Sequence, residues 1–389
     1  MRPFLTALDS CDNDARIMFR LMTLTLSCLL IAVGVCPGAE DTASGAEAST
    51  DTLAAGQAST VLLPVLGYTP DTSVMLGAAA LRFFYLEPYG PDTRPSVFSP
   101  TFIYTLKNQI MVFLGTEFNW DQGRSNAGIF PSYVKFPDQF YGIGREVSLE
   151  DEEDYTPEKI AVGLRYNREV WGELRLGAEY RFTRHHLDEI EPDGQLASGA
   201  IPGTDDSSVS LPAVTLSWDT RDNIWSPARG LWLQLNVGIS SGTLGSDYEF
   251  NQFTGDFRGY RAMGEKTVWA AQLLATGLDG EPPFFYYPRL GGEEGLRGYR
   301  GGLYLDKTRV LGRVEYRREG IIGRFGGVLF AGIGDVSPHL GDLTLAANLW
   351  SAGLGIRYLW DEQEKLKIRL DFGWGNGDSG FYLSLGEAF

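Results

Sequence analysis

The sequence predicts an all-β chain folded as a transmembrane antiparallel β-barrel of about sixteen strands. Period-two alternation of apolar and polar residues recurs throughout the chain after Val61, and no stretch there keeps a helical period. Aromatic residues make up 13% of the chain and glycines number 48, which also favours strands. Hydrophobic residues reach only 43%, too few for a bundle of membrane helices.

The first 39 residues have the anatomy of a secretory signal peptide. An apolar run from Leu21 to Val35 follows Arg20 and precedes small residues around Gly38. The run is shorter than the roughly 20 residues that a membrane-spanning helix needs. We therefore expect residues 1–39 to be a signal peptide rather than a membrane anchor.

Three further boundaries follow. Acidic residues precede Met18, so Met18 is an alternative start of the signal peptide, and lipid attachment at Cys36 is a second alternative for its end. Residues 40–60 contain almost no large apolar side chains, which predicts a flexible periplasmic leader. Residues 61–389 form the predicted barrel.

Each alternating run is about ten residues long, the length of a tilted strand that crosses a membrane. In the run 231–240, leucine, valine and isoleucine alternate with Trp232, Gln234, Asn236, Gly238 and Ser240. The runs 173–182 and 365–374 alternate in the same way. The predicted strands are 61–68, 72–85, 97–107, 109–120, 124–136, 158–168, 172–186, 207–218, 229–240, 247–261, 266–278, 303–317, 323–332, 347–359, 365–374 and 380–389.

Alternation alone also fits a soluble sandwich with a dry core. The strand number decides between the two, because an open sheet of this size would expose long unpaired edges and a closed barrel removes them. Together with the predicted export, this indicates a barrel in the outer membrane of a Gram-negative bacterium. Its expected partners are outer-membrane lipids and lipopolysaccharide.

Charge and motif content exclude two classes of function. A net charge of -17 and a pI near 4.7 argue against a nucleic-acid-binding protein. The sequence lacks a Gly-x-Ser-x-Gly elbow, a Walker loop and a His-Glu-x-x-His motif, so we expect no enzyme and no cofactor. His185-His186 and the acidic run 150–154 could each bind a divalent cation, the second of them as a bridge to lipopolysaccharide, but solvated side chains explain both better.

The segment 291–300 places one charged side chain on a glycine-rich loop between two predicted strands. Arg297 lies between Gly295 and Gly298, followed by Tyr299. A guanidinium folded into the lumen needs a carboxylate, because an unpaired buried charge is costly. On the next strand, Arg309, Arg313, Glu315 and Arg317 share the polar face, so Glu315 is the candidate partner. An exposed arginine on a mobile loop is the alternative.

Two other segments carry motifs. The connection between the eighth and ninth predicted strands contains Asp219, Arg221, Asp222, Pro227 and Gly230. The last predicted strand places Phe381, Leu383, Leu385 and Phe389 on one face.

These motifs together resemble the BamA/TamA-type outer-membrane assembly factors and the related bacterial surface antigens, over most of residues 61–389. Gly-Leu-Arg-Gly-Tyr at 295–299 resembles their sixth-loop signature, 219–230 their Asp-x-Arg-Asp...Pro-x-x-Gly periplasmic turn, and Phe140-Tyr141-Gly142-Ile143-Gly144 the third-loop region of short members. The resemblance implies that Arg297 and Glu315 lock the loop in the lumen. It also implies that the outer-membrane insertion machinery recognises the final aromatic strand during biogenesis.

The sequence departs from the family pattern at one position. Where the family usually has Phe-x-Asp-x-Gly on the next strand, this chain has Phe330-Ala331-Gly332-Ile333-Gly334. Glycine therefore stands in place of the second acidic partner, and Asp335 is an open alternative.

The junction of the first and last strands is a candidate lateral seam. Pro64 removes one hydrogen-bond donor from the first strand, and Gly386 weakens the last. By resemblance this seam is a gate for client strands, and plain local irregularity is the alternative.

The resemblance implies a function in outer-membrane protein insertion or polypeptide translocation, with a polypeptide client or a separate periplasmic partner. The predicted leader is too short to hold a periplasmic POTRA module of the assembly factors. The alternative is a passive pore or a structural surface antigen.

Overall fold

The computed structural model describes residues 58–69, 73–88, 93–344, 349–362 and 365–389. Within them no helix is long and apolar enough to cross a membrane. The strands are β1 (Ser59–Thr69), β2 (Ser73–Phe84), β3 (Ser96–Thr105), β4 (Ile110–Trp120), β5 (Ser125–Lys135), β6 (Asp138–Phe140), β7 (Glu153–Trp171), β8 (Leu174–Ile190), β9 (Ser207–Asp219), β10 (Gly230–Ser240), β11 (Phe250–Ala262), β12 (Thr267–Gly280), β13 (Thr308–Ile322), β14 (Phe325–Ser337), β15 (Trp350–Asp361), β16 (Leu366–Gly375) and β17 (Ser379–Leu385).

The strands form an antiparallel barrel in chain order. Each long strand pairs with the next long strand from β1 to β17, and the three-residue β6 pairs with β7 alone. β1 then lies against β17. The sixteen strands other than β6 confirm the predicted fold class and strand number.

Burial shows which face of each strand points outward. On β10, Leu235, Val237 and Ile239 are 44–52% exposed, whereas Gln234 and Asn236 are at most 9% exposed. β16 repeats this pattern, with Leu370 outside and Arg369 and Asp371 inside. The apolar face therefore lies toward lipid and the polar face toward the lumen, as expected for an outer-membrane barrel.

The connections differ at the two ends of the barrel. One end carries the tight turns 121–124, 172–173, 263–266 and 323–324, and the other carries the loops 136–152, 191–206, 241–249 and 281–307. We call the first the short-turn end, which in barrels of this type faces the periplasm.

Aromatic side chains line the outer face near the short-turn end. Trp171 is 85% exposed beside its turn. Such a belt places amphipathic rings at the level of the lipid headgroups. Aromatic neighbours in the belt are Trp120–Tyr166, Trp269–Tyr316 and Phe325–Tyr358, with ring centroids 6.0, 5.2 and 5.1 Å apart.

The strand boundaries differ from the prediction at both termini of the barrel. β1 begins at Ser59, two residues inside the predicted leader, and Pro64 lies within it in register with Ala78 of β2. β17 ends at Leu385 instead of 389, because Gly386 adopts φ +74° and turns the chain out of the sheet. The predicted signal peptide and most of the predicted leader lie outside the described residues.

Candidate functional site in the lumen

Residues 281–307, here called the lumen loop, fold from the long-loop end into the barrel. They connect β12 and β13, the eleventh and twelfth long strands, which is where the sequence placed them. The loop is compact, since Leu290 donates its backbone N–H to Tyr304 (2.8 Å) and Leu296 donates its own to Leu290 (2.7 Å). Its apolar side chains pack against the wall in a buried cluster of Leu290, Leu296, Leu303, Leu311 and Val336.

The tip of the lumen loop carries Arg297, which is 1% exposed. Its Nη2 pairs with Glu315 on β13 and its Nη1 with Asp371 on β16. The guanidinium also lies over the Phe330 ring, with Cζ 3.6 Å from the ring centroid. A planar guanidinium suits this position, because it addresses two carboxylates and one aromatic face at once.

The second acidic partner is therefore Asp371. Asp335 instead pairs with Arg145 of the loop 136–152, at 2.8 Å. Glycine at position 332 has a steric reason, because a Cβ there would lie 2.8 Å from the side chain of Leu296. A larger side chain at position 332 would therefore require the side chain of Leu296 to move.

Backbone contacts fix the residues around Arg297. Gly298 has φ +121°, and a Cβ on it would lie 2.7 Å from the Trp374 backbone. Its N–H donates to the Tyr382 hydroxyl at 2.9 Å. Tyr299 donates its hydroxyl to the Trp350 carbonyl, 2.9 Å away. Gly295 is equally constrained, since a Cβ would approach the Leu290 carbonyl oxygen to 1.9 Å.

Arg297 belongs to a closed ring of six buried charges, here called the charge ring. The signs alternate around it, and each member is at most 7% exposed. The ring joins the lumen loop to β13, β15, β16 and the residues after β17. In order its members are Arg297, Glu315, Arg317, Glu387, Arg357 and Asp371, and Asp371 pairs again with Arg297. The distances between charged atoms are 2.8 Å for Glu315–Arg317, 3.8 Å for Arg317–Glu387, 2.8 Å for Glu387–Arg357 and 2.5 Å for Arg357–Asp371.

Glu387 is the ring member that follows the last strand. Burial alone would raise the pKa of its carboxyl, but Lys367, Arg357 and Arg317 outweigh burial and hold that pKa well below its usual range. Glu387 is therefore an anion at neutral pH.

Sequence reasoning missed Asp371, Arg357 and Glu387 as members of this site. Asp371 had a detectable signal, because it is an acid on the otherwise basic polar face of β16. Arg357 and Glu387 had none, since their contact depends on how the chain turns at Gly386.

The predicted turn motif at 219–230 is stabilised by hydrogen bonds between its own residues. Arg221 donates to both carboxylate oxygens of Asp219 (2.9 and 2.8 Å), and Asp222 accepts the backbone N–H groups of residues 228 and 229. Pro227 is buried, and Gly230 has φ +106° with the Thr220 carbonyl oxygen 2.3 Å from where a Cβ would be.

The expectation for the last strand is only partly met. Phe381 and Leu383 are 62% and 40% exposed on the outer face, but Phe389 is 5% exposed and lies inside the barrel. Placing Phe389 on the same face was wrong, because the φ of Gly386 breaks the alternation after Leu385. The side chain of Leu385 is outside the described set, and Gly386 lies beyond β17 rather than within the seam.

At the long-loop end, the lumen loop contacts the neighbouring loop and strands. In the predicted third-loop motif, Tyr141 is buried and its hydroxyl accepts a hydrogen bond from Arg300 of the lumen loop (2.9 Å). Arg300 also pairs with Glu152 of the acidic run (2.6 Å). His185 stacks on Phe285 at 3.9 Å between ring centroids. No cluster of three or more potential metal ligands occurs among the residues that the structure covers.

A cavity of about 270 Å³ remains beside the lumen loop. Its wall on β4 and β5 is apolar, and its wall on β10 and β11 is polar. Met111, Phe113, Phe130 and Val134 line the first wall, and Gln234, Asn236, Gln252 and Asp256 the second.

Comparison with known proteins identifies the family. Residues 98–389 match the Omp85 superfamily domain, which is most of the chain. The chain belongs to the Omp85 superfamily. The resemblance read from the sequence motifs is thereby confirmed.

Individual relatives of this Omp85 barrel are distant. It is 25% identical over 167 residues to the outer membrane protein assembly factor BamA of Nitratidesulfovibrio vulgaris, which is 42% of this chain and 21% of that protein. The structure of BamA from Haemophilus ducreyi lacking POTRA domains 1–3 matches with TM-score 0.59 and 12% identity, covering 84% of this chain and 69% of that one. CdiB from Escherichia coli matches with TM-score 0.56 and 11% identity, covering 84% and 61%. These two structures share the fold.

Proposed function

We propose that this Omp85 barrel inserts proteins into the outer membrane of a Gram-negative bacterium or translocates polypeptides across it. The observation that carries the proposal is the burial of Arg297 between Glu315 and Asp371, which keeps the lumen filled by a loop. Because the loop occupies the lumen, a client polypeptide would contact the strands of the barrel wall rather than pass through an open channel.

The junction between β1 and β17, the seam, is a second observation that supports the proposal. β1 and β17 lie against each other over fewer residues than any other two neighbouring long strands. The seam is therefore the junction where a client strand would enter at the lowest free-energy cost.

The passive-pore alternative has less support. The lumen loop enters the lumen from the long-loop end, and residues 386–389 are buried inside the barrel near the short-turn end. A steady pore needs a continuous aqueous path, which this filling opposes.

The test reconstitutes the full chain in lipid vesicles and adds a urea-denatured small β-barrel as client. Folding of the client is followed by its electrophoretic heat-modifiability. We expect faster client folding than in empty vesicles of the same composition. Equal rates with and without the protein would contradict the proposal.

A seam-bridged variant supplies the matched control. Leu62 of β1 and Leu383 of β17 are both exposed, and cysteines at these positions are treated with a short bis-maleimide, with the bridge verified by mass spectrometry. Cys11, Cys28 and Cys36 are replaced by serine in both forms, so that the bridge forms only at the seam. We expect the bridged form to lose the acceleration and the unbridged form to keep it. Full activity of the bridged form would exclude entry through the seam.

A further inference from the structure

The residues after β17 leave the sheet and lie inside the lumen. Gly386 turns the chain with φ +74°, and Glu387, Ala388 and Phe389 are 7, 2 and 5% exposed. We call Gly386–Phe389 the inner tail. It crosses the short-turn end of the lumen from β17 toward β11–β13.

The inner tail rests in a seat with two chemically distinct subsites. The first surrounds the Glu387 carboxylate with cations, Arg357 at 2.8 Å, Lys367 at 3.0 Å and Arg317 at 3.8 Å. The second holds the Phe389 ring, which packs with Tyr260, Ala270 and Ala388. Above that ring lie the guanidinium groups of Arg313 and Arg317, 4.9 and 5.3 Å from its centroid.

The seat also contacts the backbone of its occupant. The N–H of Gly386 donates to the Lys367 carbonyl (2.8 Å), and that of Glu387 donates to the Trp225 carbonyl (3.2 Å). Arg317 donates to the carbonyl oxygen of Phe389 at 2.9 Å. A lipid phosphate or a free anion would fill the first subsite only. The full set of contacts fits a peptide that has an acidic side chain two residues before an aromatic one.

Charge balance makes an empty seat unstable. Without Glu387, Arg317 and Arg357 keep Glu315 and Asp371, but these two acids also serve Arg297. Lys367 keeps Glu319, whose side chain is 43% exposed. Withdrawal of the inner tail would thus leave an uncompensated buried positive charge, which favours replacement by another anionic segment. Residues 387–389 belong to no strand, so they can leave without breaking the β16–β17 ladder.

We propose that this seat, formed by Tyr260, Arg313, Arg317, Arg357 and Lys367, is a binding site for an acidic-x-aromatic segment of a client polypeptide. The chain's own inner tail occupies the site when no client is present. A client segment enters from the short-turn end, beside Trp225 of the turn 219–230, and exchanges with the tail. This inference rests on the proposed function and adds the chemistry of the partner.

The test measures binding of a fluorescein-labelled peptide with the sequence of residues 382–389 to the purified full chain in detergent. Two matched peptides carry glutamine in place of the glutamate or alanine in place of the final phenylalanine. The tail variant Glu387→Gln/Phe389→Ala weakens the internal competitor. We expect it to bind the peptide about tenfold more tightly than the wild type, because its seat is free for a larger fraction of the time. Both matched peptides should bind about tenfold more weakly than the parent.

Equal affinity for all three peptides would overturn the inference, and so would equal affinity of a folded tail variant and the wild type. Lys367→Met in the tail variant should abolish binding, with heat-modifiability as the check that the barrel is folded. If the tail variant does not fold, a photo-crosslinking peptide with benzoylphenylalanine in place of the final phenylalanine is used on the wild type. Crosslinks to β11–β13 support the seat, and crosslinks confined to other strands overturn it.

Peptide binding and client folding are separate readouts. If the protein accelerates client folding but does not bind the peptide, only the inference about the seat is rejected. If the protein binds the peptide but does not accelerate client folding, the proposed function is rejected and the peptide-binding site remains.

Discussion

Arg297 fixes the lumen loop through buried ion pairs with Glu315 and Asp371, which are not accessible to water. Its guanidinium is buried, so its charge depends on Glu315 and Asp371. Each of these acids has a second cation, Arg317 or Arg357. Loss of the arginine would therefore leave neither acid without a partner, although the net charge of the buried set would change by one.

We expect Arg297→Ala to lower the free energy of unfolding by about 3 kcal/mol, at the low end for a broken buried ion pair because Arg317 and Arg357 remain. Urea unfolding in lipid vesicles measures this. Protease should also cut the lumen loop of the variant in its folded form. The control is Arg300→Ala on the same loop, whose pair with Glu152 is 45% and 34% exposed and should contribute less than about 1 kcal/mol. Equal losses in the two variants would show that Arg297 has no special role.

Most elements were predictable because alternation in a barrel is a local property of the sequence. The faces of β10 and β16 follow from their residues alone, and so does the position of the lumen loop between two particular strands. Contacts across the lumen are different, because they depend on barrel curvature and on loop conformation. Asp371 lies three long strands beyond Glu315, and nothing in the spacing indicates that both reach one guanidinium. The prediction put Phe389 on the outer face because the sequence alternation extends past Leu385. In the structure, Gly386 turns the chain out of the sheet before Phe389.

The geometry of the turn 219–230 depends directly on Gly230. A Cβ on Gly230 would meet the Thr220 carbonyl oxygen at 2.3 Å, and the Thr220 N–H is itself bonded to Leu231 at 2.9 Å. The oxygen therefore has little freedom to move away. We expect Gly230→Ala to lower the free energy of unfolding by about 3 kcal/mol, from positive φ together with overpacking.

The matched control for this element is Gly264→Ala. Gly264 lies in a tight turn at the same end with φ +81°, and nothing lies within 4 Å of a Cβ there. Its loss should be about 1 kcal/mol, since only the left-handed conformation is penalised. Urea unfolding measures both variants. A loss for Gly264→Ala as large as that for Gly230→Ala would assign the effect to φ alone.

At the scale of the whole molecule, the charge ring connects two segments that fill the lumen from opposite ends. The lumen loop contributes Arg297 and the inner tail contributes Glu387, and Glu315 with Arg317 joins them on one side of the ring. Arg357 with Asp371 joins them on the other. Each segment therefore stabilises the position of the other, and displacement of one weakens the hold on both.

Planar-bilayer recording of single molecules tests this coupling. We expect the wild type to show low, flickering conductance, and Arg297→Ala to show longer openings that still close, because the inner tail remains in place. Arg297→Ala combined with Glu387→Gln should give the largest and steadiest conductance, since both segments lose their ring contacts. Arg300→Ala should behave as the wild type does. A large, steady conductance of the wild type would contradict the filled lumen and favour the passive pore. An effect of the double variant equal to that of Arg297→Ala would show that the tail does not obstruct the lumen.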